Sequence, residues 1–168
     1  NTLDETISLI TVANQVVNNP ESVGTGWRNI ALRIRGAKAE LESAGEETDG
    51  IITSTSKLQA KVEALTRTSS NKSGVNILTD TGAFKSTYQI IKEIGTVWKQ
   101  ISDINQAALL ELLGGKRGAQ ILTSVFSNMG DLDSVTAASM NSANSAMQEH
   151  ANWLDSIEAK QAQLDSAW

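Results

Sequence analysis

Residues 84–117 read FKSTYQIIKEIGTVWKQISDINQAALLELLGGKR, and this stretch decides the fold. Ile90, Ile94, Val97 and Ile101 recur every three or four residues, the period of one helix face. Ser86 or Thr87 starts that helix. Ser102 and Asp103 open a second one, in which Asp103 and Gln106 have the spacing of a capping box. Leu109, Leu112 and Leu113 line it, and Gly114-Gly115 ends it, since glycine enters the left-handed conformation at a helix end without steric cost. Lys116 and Arg117 then begin the next helix in water. Positive charge at a helix start opposes the helix dipole. The pair therefore needs an acid such as Glu111, or a partner surface. Nothing in the stretch is placed for catalysis.

Working outward, the same period continues. Thr2 and Glu5 have capping-box spacing, and Leu3, Ile7, Ile10 and Val17 carry a first helix to about Asn18. Asn19 caps a second helix with Pro20 at its first position, where a missing N–H costs nothing. Val23, Trp27, Ile30, Ile34, Ala37 and Leu41 form one continuous seam that Gly45 terminates; the acidic GEETDG turn is a solvent loop. A third helix carries Leu58, Val62 and Leu65. Residues 68–82, TSSNKSGVNILTDTG, have no helical period, and residues 75–78 are a short strand candidate before the turn at Asp80 to Gly82. Four residues make a poor sheet alone, so at most a small hairpin with the segment around Phe84 is expected. A further helix carries Leu122, Val125, Phe126 and Met129 and stops at Gly130. The last and longest begins near Leu132. Its first half is small and polar, and its second carries Met147, Leu154, Ile157, Leu164 and Trp168, a near-heptad seam broken by Gln161. The fold class is all-α: a bundle of six or seven helices with at most a small β-hairpin near residues 75–84. The divisions are 1–67, N-terminal helices; 68–85, a loop with a possible short strand; and 86–168, C-terminal helices ending in a long one.

Composition limits the function. A chain of 168 residues suffices for one domain around one core. It begins at Asn1 rather than Met and stops at Trp168 inside a helical pattern, so the segment 1–168 is expected to be a piece of a longer protein. A net charge of −5 and a pI near 4.9 argue against direct nucleic-acid binding, which needs clustered cations to displace phosphate counterions. The densest basic group, Arg28, Arg33, Arg35 and Lys38, is expected to form a solvated helix face. The absence of cysteine removes disulfides, thiolate metal sites and cysteine nucleophiles. No apolar run reaches the roughly 18–20 residues that span a bilayer.

The chemical motifs are weak. GTG at 24–26 lacks the third glycine and the preceding strand of a dinucleotide fingerprint, so a tight helix–helix approach explains it better. GGKR at 114–117 lacks the Ser or Thr that would hold magnesium in a phosphate loop. His150, the sole histidine, has no second ligand nearby and reads as a packing or surface residue beside Trp153. No GxSxG elbow occurs. Carboxylates are plentiful, and a glycosidase pair is set by spatial separation rather than spacing. Asp131 and Asp133 suit a helix start without calcium. Asn71-Lys72-Ser73 fits the N-x-Ser glycosylation pattern. The tryptophans at 27, 98, 153 and 168 fall on apolar seams as core anchors, with Trp168 the exception to doubt. No catalytic residue, cofactor or metal site is expected.

Several blocks occur in an order that resembles the core region of phage tail tape measure proteins. They are NTLDETISLITVANQVV, RIRGAKAELESAGEETDG, STSKLQAKVEALT at 54–66, FKSTYQIIKEI, Trp98, LLGGKR, SANSA at 142–146 and LDSI at 154–157. The resemblance implies a structural, non-enzymatic virion protein. Its parent would template tail tube length in the tube lumen, be assembled in the host bacterial cytoplasm, and be ejected during genome delivery. Implied partners are tail tube proteins, tail assembly chaperones and tail tip or baseplate proteins, with a possible homo-oligomer and possible host membrane contact. The alternatives are a membrane- or envelope-interacting segment acting at ejection, with residues 104–129 as its hairpin, and a cell-wall hydrolase, since some relatives carry such modules in other segments.

Overall fold

Thr2 opens the first helix by exchange: its Oγ1 accepts from the Glu5 amide, while Glu5 Oε2 accepts from the Thr2 amide. In the computed structural model, which describes residues 2–167 with the side chains at 143, 145–147, 159, 164, 166 and 167 aside, this helix α1 spans Leu3–Val17. Asn18 ends it at φ 53°, and Asn19 caps α2, Pro20–Ile34, by accepting from the Ser22 amide. The helices that follow are α3 (Lys38–Ser43), α4 (Thr55–Thr66), α5 (Thr87–Val97), α6 (Asp103–Phe126) and α7 (Met129–Ala167), with a 3-10 turn at Trp98–Gln100 before α6. The fold is all-α, and 74% of the structure is helical.

One cluster of buried apolar side chains draws on α1, α2, α4, α5, α6 and the start of α7. Two tryptophans tie it together. Trp27 is buried and donates its indole N–H to the Leu9 carbonyl at 3.0 Å, joining α2 to α1. Trp98 stacks on Phe126 with ring centroids 4.3 Å apart, joining the ends of α5 and α6. The predicted hairpin shrinks to one antiparallel bridge, between Leu78 and Phe84. Segment 75–78 extends no ladder because α4 satisfies its amides from the side: Thr66 Oγ1 accepts from Val75 and Gln59 Oε1 from Ile77, both at 2.7 Å.

Three boundaries differ from those read in the sequence, and a fourth stands. The seam from Val23 to Leu41 is two helices, broken at Gly36, whose φ of 65° is not helical and where a Cβ would sit 2.8 Å from the Ile52 carbonyl. Ser102, not Asp103, caps α6, accepting from Asn105, and Gln106 spends its amide on the Trp98 carbonyl instead of closing a box. Gly114-Gly115 divides α6 as expected: Gly115 has φ 61° and ψ −161°, outside helical space, and the helix resumes beyond it. Gly130 stops nothing. The preceding helix ends at Phe126, and α7 begins at Met129 with Gly130 inside its first turn.

The tryptophan expectation holds at 27 and 98 and fails at 153, which is 59% exposed because α7 has left the body by that point. From Met140 to Asp165 every described side chain is exposed. Met147, Leu164 and Trp168, the other members of the α7 seam, lie outside the described residues.

Candidate functional site

The most heavily built polar site is centred on Arg33, the residue misread as part of a solvated face. Arg28, Arg35 and Lys38 are not buried, but Arg33 is 3% exposed. Its position explains why: Gly26, Asn29, Ile30 and Arg33 follow one another at helical spacing on the side of α2 that meets α6, and all four are buried. That spacing was the available signal.

Among the described residues, the hydrogen bonds of this guanidinium all go to main-chain oxygen. Nε donates to the Leu112 carbonyl (3.2 Å) and Nη1 to the Glu47 carbonyl (3.3 Å). Nη2 donates to the carbonyls of Asp49 (3.0 Å) and Glu111 (3.4 Å). Two of these acceptors lie in the last turn before the Gly115 kink, where carbonyls lack helical partners and the dipole favours a cation. The other two lie in the acidic loop 46–49. One side chain thus closes a helix end and holds a loop that has no regular structure of its own. Burial pulls the Arg33 pKa below its usual value, and the charges of Glu47, Glu111 and Asp49 oppose that shift.

The kink belongs to the same site. Gly115 occupies backbone space that is essentially restricted to glycine, and a Cβ there would meet the Arg33 guanidinium at 3.2 Å. Just beyond it the basic pair finds acids, though not Glu111. Lys116 Nζ lies 3.5 Å from Glu47 Oε1, and Arg117 Nη1 lies 3.2 Å from Glu46 Oε1. Both cations are well exposed, so these pairs steer the loop more than they stabilise it. A cavity of about 230 Å³ lies between Arg33, Leu41, Glu46, Glu47 and the Gly114 to Arg117 turn. Asn29 also lines it; it is 4% exposed, and its Oδ1 has no protein partner.

The other sequence candidates are dispersed. The GTG at 24–26 is a close approach: a Cβ on Gly26 would clash with Ile121 Cδ1. His150 is exposed on α7, its ring 6.0 Å from that of Trp153. Asp131 lies in the first turn of α7, and Asp133 pairs with Lys92 at 3.3 Å, whose pKa is raised by that hydrogen bond and charge. Asn71 and Ser73 bond to each other in a turn. Among the described residues no group of three His, Cys, Asp or Glu side chains could hold a metal ion, and no helix is long and apolar enough to cross a membrane. In the 104–129 hairpin Leu109, Leu112, Leu113, Ile121, Leu122, Val125 and Phe126 are buried, Leu110 and Met129 are partly buried and Ile104 is 82% exposed, so presenting all but Ile104 to an interface would first require opening the body. Compared with known protein families, characterised proteins and solved structures, the chain matches none.

Proposed function

We propose that the chain is a folded helical segment of a tape measure protein, a structural component of a virus tail that contributes to the tube-length template and leaves during genome delivery. The observation that carries this reading is where the resembling blocks fall. RIRGAKAELESAGEETDG contains Arg33 and the loop it holds, and LLGGKR contains the helix end, the kink and the basic pair that face them. The two blocks that contain glycine are thus the two halves of one joint. A joint made of glycines, main-chain carbonyls and ion pairs supports a structural role for both blocks. The partners that follow are tail tube, assembly chaperone and tail tip proteins, with the virion tail as location.

An in-frame deletion of residues 1–168 from the parent gene, with tails measured by electron microscopy, tests it. Fully extended as one helix the segment would span on the order of 250 Å, whereas α7 alone, with 39 residues, spans about 58 Å. The expected outcome is failed assembly, or tails shortened by clearly less than the extended length. Shortening by the whole extended length would show an extended ruler and overturn the folded reading. Tails of normal length on particles that fail to deliver DNA would favour the membrane alternative.

A further inference from the structure

We infer that the protruding half of α7 is a self-association element that pairs with a second copy of this chain as a parallel coiled coil. Met140 (49% exposed), Leu154 (45%) and Ile157 (42%) are large apolar side chains left uncovered on a helix that has passed the body. Their spacing is that of a seam. Counting sevens from Met140 places Met140, Leu154 and Gln161 in one register position, and His150 and Ile157 in the position three residues on. Side chains at these two positions form the interface of a two-stranded coil, and one polar residue among them fixes register at some cost in stability. In this seam the polar residues are His150 and Gln161.

Charge identifies the occupant and its direction. The positions flanking the seam hold Lys160 on one side and Glu158 and Asp165 on the other. In a parallel pair a flanking residue faces the residue five positions further along the other helix, so Lys160 of each copy meets Asp165 of the other. In an antiparallel pair each flank meets its own kind. Lys160, the sole Lys or Arg from Met140 onward, would then face no acid, and the acids would face one another. A second copy, in parallel and in register, is the partner this face fits. The inference does not rest on the tail reading.

Sedimentation of the intact 168-residue chain over a range of concentrations tests it. The expected result is a reversible dimer. Leu154→Asp with Ile157→Asp should give a monomer whose amide exchange in α1 to α6 is unchanged, since both side chains are exposed in the single chain. Lys160→Glu should weaken the dimer on the order of tenfold, and adding Asp165→Lys should restore it. The Gln161→Cys variant, with a single thiol per chain, should cross-link on oxidation. A wild-type chain that stays monomeric throughout overturns the inference. So does a dimer that survives the double aspartate variant. Failure of the Gln161→Cys variant to cross-link within its dimer also overturns it, because the parallel register is then absent. A monomer that instead floats with anionic phospholipid vesicles, and loses that binding in the double aspartate variant, assigns the face to a membrane.

Discussion

A guanidinium surrounded by main-chain carbonyls holds them in a plane that a rounder cation does not reproduce. Arg33→Lys keeps the charge but supplies one nitrogen where four carbonyls are now shared among three. Arg33→Met leaves those carbonyls buried without donors. The expected loss is about 3 kcal/mol or more for Met, read by urea denaturation, with Lys in between. In a chain of this size that lowers Tm by roughly 6–12 °C. Gly115→Ala should cost about 1–3 kcal/mol through its backbone conformation alone. Lys116→Ala and Arg117→Ala should each stay within about 1 kcal/mol, because their ion pairs are exposed. If the two alanine variants at the basic pair matched Gly115→Ala in cost, the joint would depend on surface charge and not on the kink. The need for a stop at Gly115 was visible in the sequence, and so was the need of Lys116 and Arg117 for acids. The identity of those acids was not, since Glu46 and Glu47 lie about seventy residues away along the chain, and local spacing carries no such information.

Helices α2 and α6 approach closely where Gly26 lies under Ile121 and Gly118 under Ile30. Gly26→Ala would improve helix propensity by about 1 kcal/mol, yet its methyl would fall on Ile121 Cδ1, and overpacking of this kind costs about 1–3 kcal/mol. Ile121→Val removes that one carbon. The double variant should therefore be more stable than the two separate losses predict, with a coupling of about 1 kcal/mol or more in a denaturation cycle. Additive losses would mean that the helices simply move apart. At this scale the sequence was most legible, because caps and the helical period are local: Thr2 with Glu5, Asn19 with Pro20, and the Leu58, Val62 and Leu65 face all stand as read. The break at Gly36 was not legible, since Leu41 continues the spacing of Ile34 and the Ile52 carbonyl that leaves no room for a Cβ there arrives from beyond the helix. Gly130 misled in the opposite direction: a lone glycine costs little in a helix start, and the buried Leu132 packs that turn onto the body.

Across the whole molecule, stability is unevenly distributed. No residue after Leu132 belongs to the described buried apolar core, so amide protection should be high in α2 and α6 and fall steeply along α7 beyond Met140, as hydrogen exchange will show. Protection in the protruding half equal to that of α6, in a dilute monomer, would contradict this. The first and last helices are also neighbours, with Ser139 donating to Asp4 in the first turn of α1. Tension applied between residues 2 and 167 therefore bears first on this contact, next to the point where the pull enters. The load falls on one interaction at a time and peels α1 away, taking with it Leu9, Val12 and the carbonyl that holds Trp27. Only then does strain reach the joint at Arg33. A chain closed at its centre by Arg33 is thus expected to yield mechanically from its ends, unravelling in sequence under an axial pull.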